Sequence, residues 1–569
     1  FRKSVPFRTT WAFALPFWRF ESAIPTKECC FCFCCHVFTT PNFKAYLCRK
    51  LKHFFVDRSE QFKQTITEGY NFQGKSIILG TAILDHQPLE QTHVKVPLRM
   101  MNRHGLVAGA TGTGKTKTIQ GIVEQLSDNG VGVLIMDIKG DVSGIAMAGT
   151  PNPKIDERMQ KIGKTWQARN YPVELMSISQ EKGVKLRATV SEFGPVLFSK
   201  ILELNDIQEG VVSLVFKYCD DNGLPLLDLK DFRKTLNFLT NEGKAEIESN
   251  YGKISTSSAG TILRKIIEIE EQGADVFFGE KSFDVEDLCR INDKGQAYIN
   301  ILRLTDIQSK PKLFSTFMLC LLAEVYQTFP EIGDKEDPKL VIIIDEAHLI
   351  FNEASKSLLE QIQTIVKLIR SKGVGIFFCT QLPTDIPPEV LSQLGLKIQH
   401  ALRAFTANDR KAIKLTSENY PLTDYYKTDE LLTNLGIGEA IVSALNEKGA
   451  PTPLAHTLLV APQSRMDILS DDEMNTILQN SALVKNYNES IDRESAYEML
   501  NKKLEASVEA AKKEKELVEK EKQIKQENRE KKVKQHEDKP LIDNQTKKRL
   551  VNSAITLVQR GLLGLLKRR

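Results

Sequence analysis

The sequence lacks a long apolar segment. No stretch reaches the roughly 18 to 20 consecutive apolar residues that a membrane-spanning helix needs. The apolar run from Trp11 to Trp18 is too short, contains a proline and has no clear small-residue cleavage site, so a signal peptide is not predicted. We therefore expect a cytoplasmic protein with no integral membrane segment.

Cysteine is scarce after the first fifty residues, and neither sign of charge dominates. Only Cys219, Cys289, Cys320 and Cys379 lie beyond that point. Isolated cysteines of this kind behave as small core residues in a reducing compartment. The formal net charge of the 569 residues is +4, which neither indicates nor excludes a nucleic-acid partner. The sequence also shows no basic stripe interleaved with aromatic residues.

The first 58 residues differ in composition from the rest of the chain. They are rich in aromatic, basic and cysteine residues. The run from Cys29 to His36 contains two overlapping C-x-x-C spacings but no second, well-separated ligand pair. Adjacent cysteines in one short run cannot all face one tetrahedral ion, which disfavours zinc. We interpret residues 1–58 as a disordered or non-native leader.

The middle of the chain alternates apolar β-branched runs with helical patterns. This alternation is typical of a parallel sheet covered by helices. It extends over residues 105–465, within which residues about 195–295 are predicted to form a helical insertion. A short β-element is predicted before it, at 59–104. Three segments are predicted after it: a helical segment at 466–500, a charged helix or linker at 501–545, and an amphipathic basic tail at 546–569.

A phosphate-binding motif lies between a short apolar strand and an amphipathic helical pattern. It matches G-x-x-x-x-G-K-[ST] without departure. Its glycines let backbone N–H groups point at phosphate oxygens, and the helix N-terminus adds a favourable dipole. Lys115 is expected to reach the β- and γ-phosphates of ATP, and the Thr116 hydroxyl to bind Mg²⁺. The predicted nucleotide-binding residues are Gly109, Ala110, Thr111, Gly112, Thr113, Gly114, Lys115 and Thr116.

A second strand ends in two acidic residues. The unbroken apolar run before Asp345 predicts a strand that is buried on both faces. In an open α/β sheet, ligands bind at the carboxyl ends of such strands. Asp345 is therefore predicted to hold Mg²⁺, directly or through water. Glu346 is predicted to orient and polarise the water that attacks the nucleotide.

Four other polar residues are candidates for the same site. Gln381 follows a third apolar strand and could sense the γ-phosphate by hydrogen bonding. Arg370 ends a predicted helix and could reach a neighbouring subunit's nucleotide as an arginine finger. Side-chain chemistry alone favours equally a surface arginine that stabilises the C-terminus of its helix. Arg403 is the rival candidate for the finger. Asp137 ends the strand after the phosphate-binding helix and is expected near the nucleotide cleft.

Together these motifs resemble the HerA/FtsK group of RecA-like P-loop ATPases, and more narrowly the HerA-like proteins of the DUF853 (YjgR-like) group. The resemblance implies a homohexamer that binds ATP and Mg²⁺ between subunits and moves double-stranded DNA through its channel. It implies a nuclease or another DNA-processing partner, and it favours Arg370 over Arg403 as the finger. Besides the phosphate-binding motif, its matching segments are 101–105, 136–141, 344–348, 369–375, 379–381 and 399–406.

The fold class predicted is therefore α/β: a RecA-like P-loop NTPase with a mostly parallel central sheet, a helical insertion and a charged helical C-terminal extension. Two other functions stay open at this point, namely a coupling ATPase of a conjugation or secretion system and a scaffolding protein switched by nucleotide. The intact Glu346 argues against the scaffold. The string Asp345-Glu346-Ala347-His348 also suggests a DEAH-type helicase. That class needs a second lobe with a Q-x-x-G-R-x-G-R motif, which the sequence lacks.

Overall fold

The computed structural model describes residues 58–333, 337–353, 356–489, 491, 493–537 and 548–549. The predicted leader, apart from its last residue, lies outside the described residues, and so does its cysteine cluster. Residues 538–545 of the charged segment also lie outside the described residues. So does the tail, 546–569, apart from residues 548–549.

The described residues form one twelve-stranded mixed sheet. Its spatial order is β2-β1-β12-β11-β10-β3-β9-β8-β4-β7-β5-β6. The strands from β10 to β6 in this order are parallel, and β11, β12, β1 and β2 continue the sheet in antiparallel pairs. The predicted mostly parallel sheet is thus confirmed. The strands are β1 (Ser76–Leu84), β2 (Gln87–Pro97), β3 (Gly105–Ala108), β4 (Gly132–Asp137), β5 (Val173–Ser177), β6 (Val184–Lys185), β7 (Ile299–Arg303), β8 (Leu340–Ile344), β9 (Val374–Thr380), β10 (Leu396–Gln399), β11 (Glu439–Ser443) and β12 (Ala455–Leu459).

Helices cover both faces of this sheet. None of those in the described part of the chain is both long and apolar enough to cross a bilayer. Their bounds are α1 (58–69), α2 (Lys115–Asp128), α3 (Pro153–Ile162), α4 (Val190–Ile201), α5 (Asp206–Asn222), α6 (Leu229–Thr240), α7 (Lys244–Asn250), α8 (Thr256–Glu270), α9 (Ala274–Phe277), α10 (Pro311–Thr328), α11 (His348–Glu353), α12 (Lys356–Ile369), α13 (Pro388–Leu391), α14 (Ala407–Glu418), α15 (Thr428–Asn434), α16 (Asp471–Asn480), α17 (Ala482–Tyr487) and α18 (Ala496–Glu537).

The central strand β8 shows why the apolar runs of the sequence do not alternate with polar residues. Its side chains alternate between two cores, so that Ile342 packs in one and Ile343 in the other. Helix α2 contributes Ile122 and Val123 to the core with Ile343, whereas α10 and α12 contribute to the opposite one. A parallel strand covered on both sides has no face left for polar residues.

The segment predicted as a short β-element continues the main sheet. Gly80 in β1 pairs with Leu459 in β12, and β1 also pairs with β2 to form a hairpin. Helix α1 covers this end with Phe62, whose ring packs edge-on against Tyr425. The hairpin and its helix therefore share a hydrophobic core with the parallel strands.

Helices α4 to α9 occupy most of the segment predicted as an insertion. Their core contains a cluster of phenylalanine rings, in which Phe198 contacts Phe216, Phe232 and Phe278 with ring centroids 4.9–6.1 Å apart. Helix α18 begins on this unit, where Asp231 accepts a hydrogen bond of 2.9 Å from the backbone N–H of Tyr497. Residues 505–529 of α18 are exposed along their whole length.

After β12 the chain crosses helix α2. We call residues 461–469 the crossing segment. The buried carboxylate of Glu124 on α2 accepts hydrogen bonds from the backbone N–H groups of Gln463 (2.8 Å) and Ser464 (3.0 Å) and from the Ser464 hydroxyl. Burial nevertheless raises the pKa of Glu124. The crossing segment is thereby tied to the helix that starts at the phosphate-binding motif.

Folding stability should fall in mild acid because two buried histidines resist protonation. The Nδ1 atom of His104 accepts a hydrogen bond from the backbone N–H of Ile376 (3.0 Å), and its Nε2 atom lies 2.8 Å from the carbonyl oxygen of Val366. Burial lowers the pKa of His104 from 6.5 to about 4, and burial lowers that of His400 to about 4 as well. Because the unfolded chain binds these protons first, stability present above pH 6.5 is lost as the pH falls towards 4.

Between pH 7.5 and 5.5, the lowered pKa of each histidine should reduce the free energy of unfolding by about 1.3 kcal/mol. Urea unfolding at pH 7.5 and 5.5 measures this loss. In His104→Gln the loss over that interval should be smaller by about 1.3 kcal/mol, whatever the starting stability. Equal pH slopes in the two proteins would contradict the role assigned to His104.

Candidate functional site

The predicted site residues other than Arg370 meet at one edge of the sheet. Strands β3, β9, β8 and β4 are neighbours and parallel, with Ala108 opposite Thr380 and Ile344 opposite both Phe378 and Met136. Their carboxyl ends therefore lead directly into the phosphate-binding loop, Gln381, Asp345 and the turn after Asp137. These segments are far apart in the sequence and become adjacent only through this strand order.

The phosphate-binding loop depends on glycine at three positions. Gly109, Gly112 and Gly114 have φ angles of 152°, 79° and 108°, values that favour glycine. At Gly109 a Cβ atom would also lie 2.5 Å from the Cβ atom of His400. The loop thus combines an unusual backbone with a close approach to β10, and Gly114 leads directly into α2.

Two neighbouring loops hold the phosphate-binding loop in place. The backbone N–H of Ala110 donates to the carbonyl oxygen of Ala401 (2.8 Å), just after β10. The carbonyl oxygen of Thr113 accepts from the backbone N–H of Gly438 (3.1 Å), just before β11. The phosphate-binding loop is therefore held by the segment just after β10 and the segment just before β11.

Lys115 is folded back on its own loop. Its ammonium group donates to the carbonyl oxygens of Gly109 (2.6 Å) and Ala110 (3.3 Å), and its side chain is buried. Burial lowers its pKa, an effect that nearby Asp345 and Glu346 partly offset. A desolvated cation inside a loop of backbone donors favours an anionic ligand.

Asp345 and Glu346 are both buried at the end of β8. Burial raises the pKa of Asp345, while Lys139 and a hydrogen bond with Cys379 act in the other direction. Glu346 has a φ angle of +46°, which costs a non-glycine residue about 1–3 kcal/mol and often marks a functional site. One oxygen of its carboxylate is bound by the Lys139 ammonium group. The other lies 3.2 Å from Nδ1 of His348.

The turn after β4 brings a further carboxylate to Thr116. The Thr116 hydroxyl donates to Asp141 over 3.2 Å. The turn is shaped by Asp137, whose carboxylate accepts backbone N–H bonds from Gly140 (2.7 Å) and Val142 (3.3 Å). Burial, together with the charge of Asp141, raises the pKa of Asp137 to about 6.

The donor set around Thr116 suits a magnesium ion that arrives with a nucleotide. Hydroxyl and carboxylate oxygens are the ligands that Mg²⁺ prefers, and it usually completes its shell with water and phosphate oxygens. Among the described residues, no three His, Cys, Asp or Glu side chains are grouped as a metal site made of protein alone. Thr116 and its carboxylate partner Asp141 therefore suit an ion that is shared with a phosphate ligand.

The remaining candidates differ in their position relative to this site. Gln381 is exposed and directly follows β9, between the phosphate-binding loop and β8. Arg403 is exposed on the same edge, two residues after Ala401. Arg370 is exposed in the short turn before β9, at the opposite edge of the sheet. The fold does not bring Arg370 to the nucleotide site of its own chain.

Two residues of the site were not identified from the sequence. Lys139 contacts both acidic residues of β8. His400 lies beneath the phosphate-binding loop, with its Nε2 atom 3.0 Å from the Thr118 hydroxyl. Both residues lie shortly after strands, within the segments 136–141 and 399–406 that carry the family resemblance.

Comparison with known proteins gives a family and several relatives. Residues 83–569 match the family described as Helicase HerA-like C-terminal. The DNA double-strand break repair helicase HerA of Sulfolobus acidocaldarius is 24% identical over 374 residues, which cover 61% of this chain and 64% of that protein. The protein of the same name from Sulfurisphaera tokodaii is 24% identical over 375 residues, with the same coverage of 61% and 64%. The chain thus spans about 64% of the length of these relatives.

Two of the solved structures that are similar to the chain have low sequence identity to it. The conjugative coupling protein TrwBdeltaN70 is 12% identical with a TM-score of 0.46, and the match covers 72% of this chain and 95% of that one. VirB4 of Thermoanaerobacter pseudethanolicus is 15% identical with a TM-score of 0.44, covering 71% and 99%. The family match, which extends over most of the sequence, decides the assignment: this chain belongs to the HerA-like helicase C-terminal family.

Proposed function

We propose that this chain is an ATP-hydrolysing motor that moves double-stranded DNA. The observation that carries the proposal is the convergence of the phosphate-binding loop with Asp345 and Glu346 at the exits of strands separated only by β9. A lysine, a hydroxyl, a metal-binding carboxylate and a second carboxylate are the parts that phosphoryl transfer to water requires. A site for nucleotide binding alone would not need the strained, buried Glu346.

Each residue has a separate task in this mechanism. Lys115 leaves the carbonyl oxygens of its own loop and binds the β- and γ-phosphates. Thr116 and Asp345 hold Mg²⁺, which neutralises charge that develops on the phosphate oxygens. Glu346 accepts a hydrogen bond from the attacking water and orients it, and Gln381 contacts the γ-phosphate from the end of β9.

The active unit that we propose is a ring of six identical subunits with ATP between neighbours. Arg370 supports this arrangement, because it is exposed on the sheet edge that faces away from its own nucleotide site. If Arg370 acts in hydrolysis, this position restricts it to the site of another subunit. There it stabilises the negative charge that builds up on the transferred phosphoryl group.

Double-stranded DNA is the polymer that the relatives suggest, since they are named as DNA double-strand break repair helicases. A nuclease or another DNA-processing protein is the kind of partner that we propose for such a motor. The test is ATP turnover by the purified protein with and without duplex DNA. We expect duplex DNA to stimulate turnover, and ATP binding without turnover would support a nucleotide-switched scaffold instead.

Glu346→Gln should reduce the DNA-stimulated turnover number by about 100-fold or more, because loss of a positioned base typically costs 10²- to 10⁴-fold. Affinity for Mg–ATP should change little, since the substitution preserves the size of the side chain and the phosphate ligands. Steady-state hydrolysis and fluorescent-nucleotide binding measure the two effects.

Glu270→Gln is the matched control for this variant. Glu270 is a partly buried glutamate at the end of α8, where it pairs with Arg233 at 2.9 Å. Helix α8 belongs to the segment predicted as an insertion and contributes none of the residues described in the nucleotide cleft. Its turnover should stay within about twofold of the wild-type value. Full turnover in Glu346→Gln would contradict the proposed mechanism.

A further inference from the structure

The ammonium group of Lys139 occupies an unusual place in the cleft. It contacts the carboxylate of Glu346 directly and lies 3.9 Å from Asp345. Only about a third of the Lys139 side chain is exposed, and that of Glu346 is 8% exposed. The pair is therefore much less screened by water than ordinary surface ion pairs.

The backbone fixes Lys139 in this position. Strand β4 pairs with β8 so that Met136 is opposite Ile344, which aligns the exit turns of the two strands. Asp137 closes the turn of β4 through the backbone N–H groups of Gly140 and Val142, and Gly140 adopts a φ angle of +75°. Lys139 therefore lies directly beside the end of β8.

The same contact conflicts with the task proposed for Glu346. A carboxylate that orients water needs a free oxygen to accept the water's proton. Here Lys139 engages one oxygen, and the other is buried without a hydrogen-bond partner among the described residues, so neither oxygen is open to a water molecule. In this arrangement Glu346 is held away from catalysis, and its contact with Lys139 has to break before it can bind water.

We propose that Lys139 is a positioning residue that holds Glu346 inactive until a nucleoside triphosphate binds. In the occupied cleft, Lys139 exchanges the carboxylate for an anionic phosphate oxygen, and Glu346 turns towards the water. The electrostatics support a shared cleft, because the Lys139 charge contributes to lowering the pKa of Lys115. This inference rests on the proposed function, since it requires Glu346 to act in hydrolysis.

The first test measures hydrolysis in the absence of DNA. Lys139→Met should raise the single-turnover rate about five- to tenfold, because a partly buried ion pair no longer has to break. Affinity for Mg–ATP should change by less than about threefold, so the effect appears in the turnover rate and not in binding. Lys139→Arg restores the ion pair and should return the rate towards that of the wild type.

Two further variants separate the possible causes. Lys310→Met removes a lysine that pairs with Asp306 at 2.9 Å, after β7 on the same edge of the sheet, and should leave the rate unchanged. Lys139→Met combined with Glu346→Gln should be as inactive as Glu346→Gln alone, because Lys139 acts through Glu346. Circular dichroism melting checks that each variant is folded.

The second test does not depend on activity. In the nucleotide-free protein, Lys139 should react slowly with an isotope-coded acetylating reagent, as judged by mass spectrometry against the exposed Lys411. The reaction should speed up in Glu346→Gln, which removes the charge that holds the ammonium group.

The two tests distinguish failure of the inference from failure of the proposed function. A lower or unchanged rate in Lys139→Met, or equal acetylation of Lys139 in the wild type and in Glu346→Gln, would overturn the inference alone. If Glu346→Gln hydrolyses ATP normally, the proposed function itself fails.

Discussion

Lys115→Ala should weaken binding of Mg–ATP by about 100-fold or more, the cost expected when one member of a buried, hydrogen-bonded charge pair is removed. In the free protein the ammonium group of Lys115 already sits inside the phosphate-binding loop, against the carbonyl oxygens of Gly109 and Ala110. Phosphate oxygens offer it full negative charges in place of these dipoles. The exchange therefore contributes directly to affinity, and isothermal titration calorimetry measures its loss.

Hydrolysis by Lys115→Ala should disappear together with binding. Lys310→Ala is again the matched control, because it removes a lysine at the same sheet edge without touching the loop. Since the aliphatic part of Lys115 is buried, the melting temperature of both variants should be compared with that of the wild type. Unchanged ATP binding in a folded Lys115→Ala protein would show that the nucleotide does not use this loop.

Subunits that carry Arg370→Ala should regain activity when they are mixed with subunits that carry Glu346→Gln. Each variant alone should be nearly inactive, because an arginine finger accelerates phosphoryl transfer by about 10³- to 10⁵-fold. In a mixed ring, some interfaces combine an intact Glu346 with an intact Arg370 from the neighbour. Turnover should therefore rise and then fall as the mixing ratio is varied.

Arg403→Ala provides the comparison for this experiment. Arg403 lies on the same edge as the phosphate-binding loop of its own chain. If Arg403 serves the site of its own subunit, activity requires subunits that are intact at both Arg403 and Glu346. Neither variant supplies such a subunit, so mixing Arg403→Ala with Glu346→Gln should not restore activity. Recovery with Arg403→Ala but not with Arg370→Ala, at any ratio, would reverse the assignment of the finger.

The arrangement of the proposed catalytic residues follows from local patterns in the sequence. Gly109–Thr116 was recognised because glycine spacing and the final Lys-Thr pair are properties of one short segment. Asp345 and Glu346 were recognised because they end an apolar run, and parallel strands end on the same edge. The sequence therefore predicted which ends would meet, although it did not predict that β9 would lie between them.

Other features depend on pairing between distant segments, which periodicity does not record. The contact between Lys139 and Glu346 arises from the pairing of β4 with β8, across about 200 residues. The packing of His400 under Gly109 depends on β10 lying beside β3. Arg370 is a further example. Only the strand directions show that it lies at the sheet edge opposite the phosphate-binding loop of its own chain.

The hairpin formed by β1 and β2 has a practical consequence for work with shortened versions of the chain. A protein that started at β3 would leave β12 with an unpaired edge at Thr457–Leu459. It would also uncover the apolar surface now protected by Phe62 and Tyr70. Exposed sheet edges of this kind recruit other chains and promote aggregation. Insolubility of such a fragment would therefore reflect a missing edge cover and not a defect in the nucleotide site.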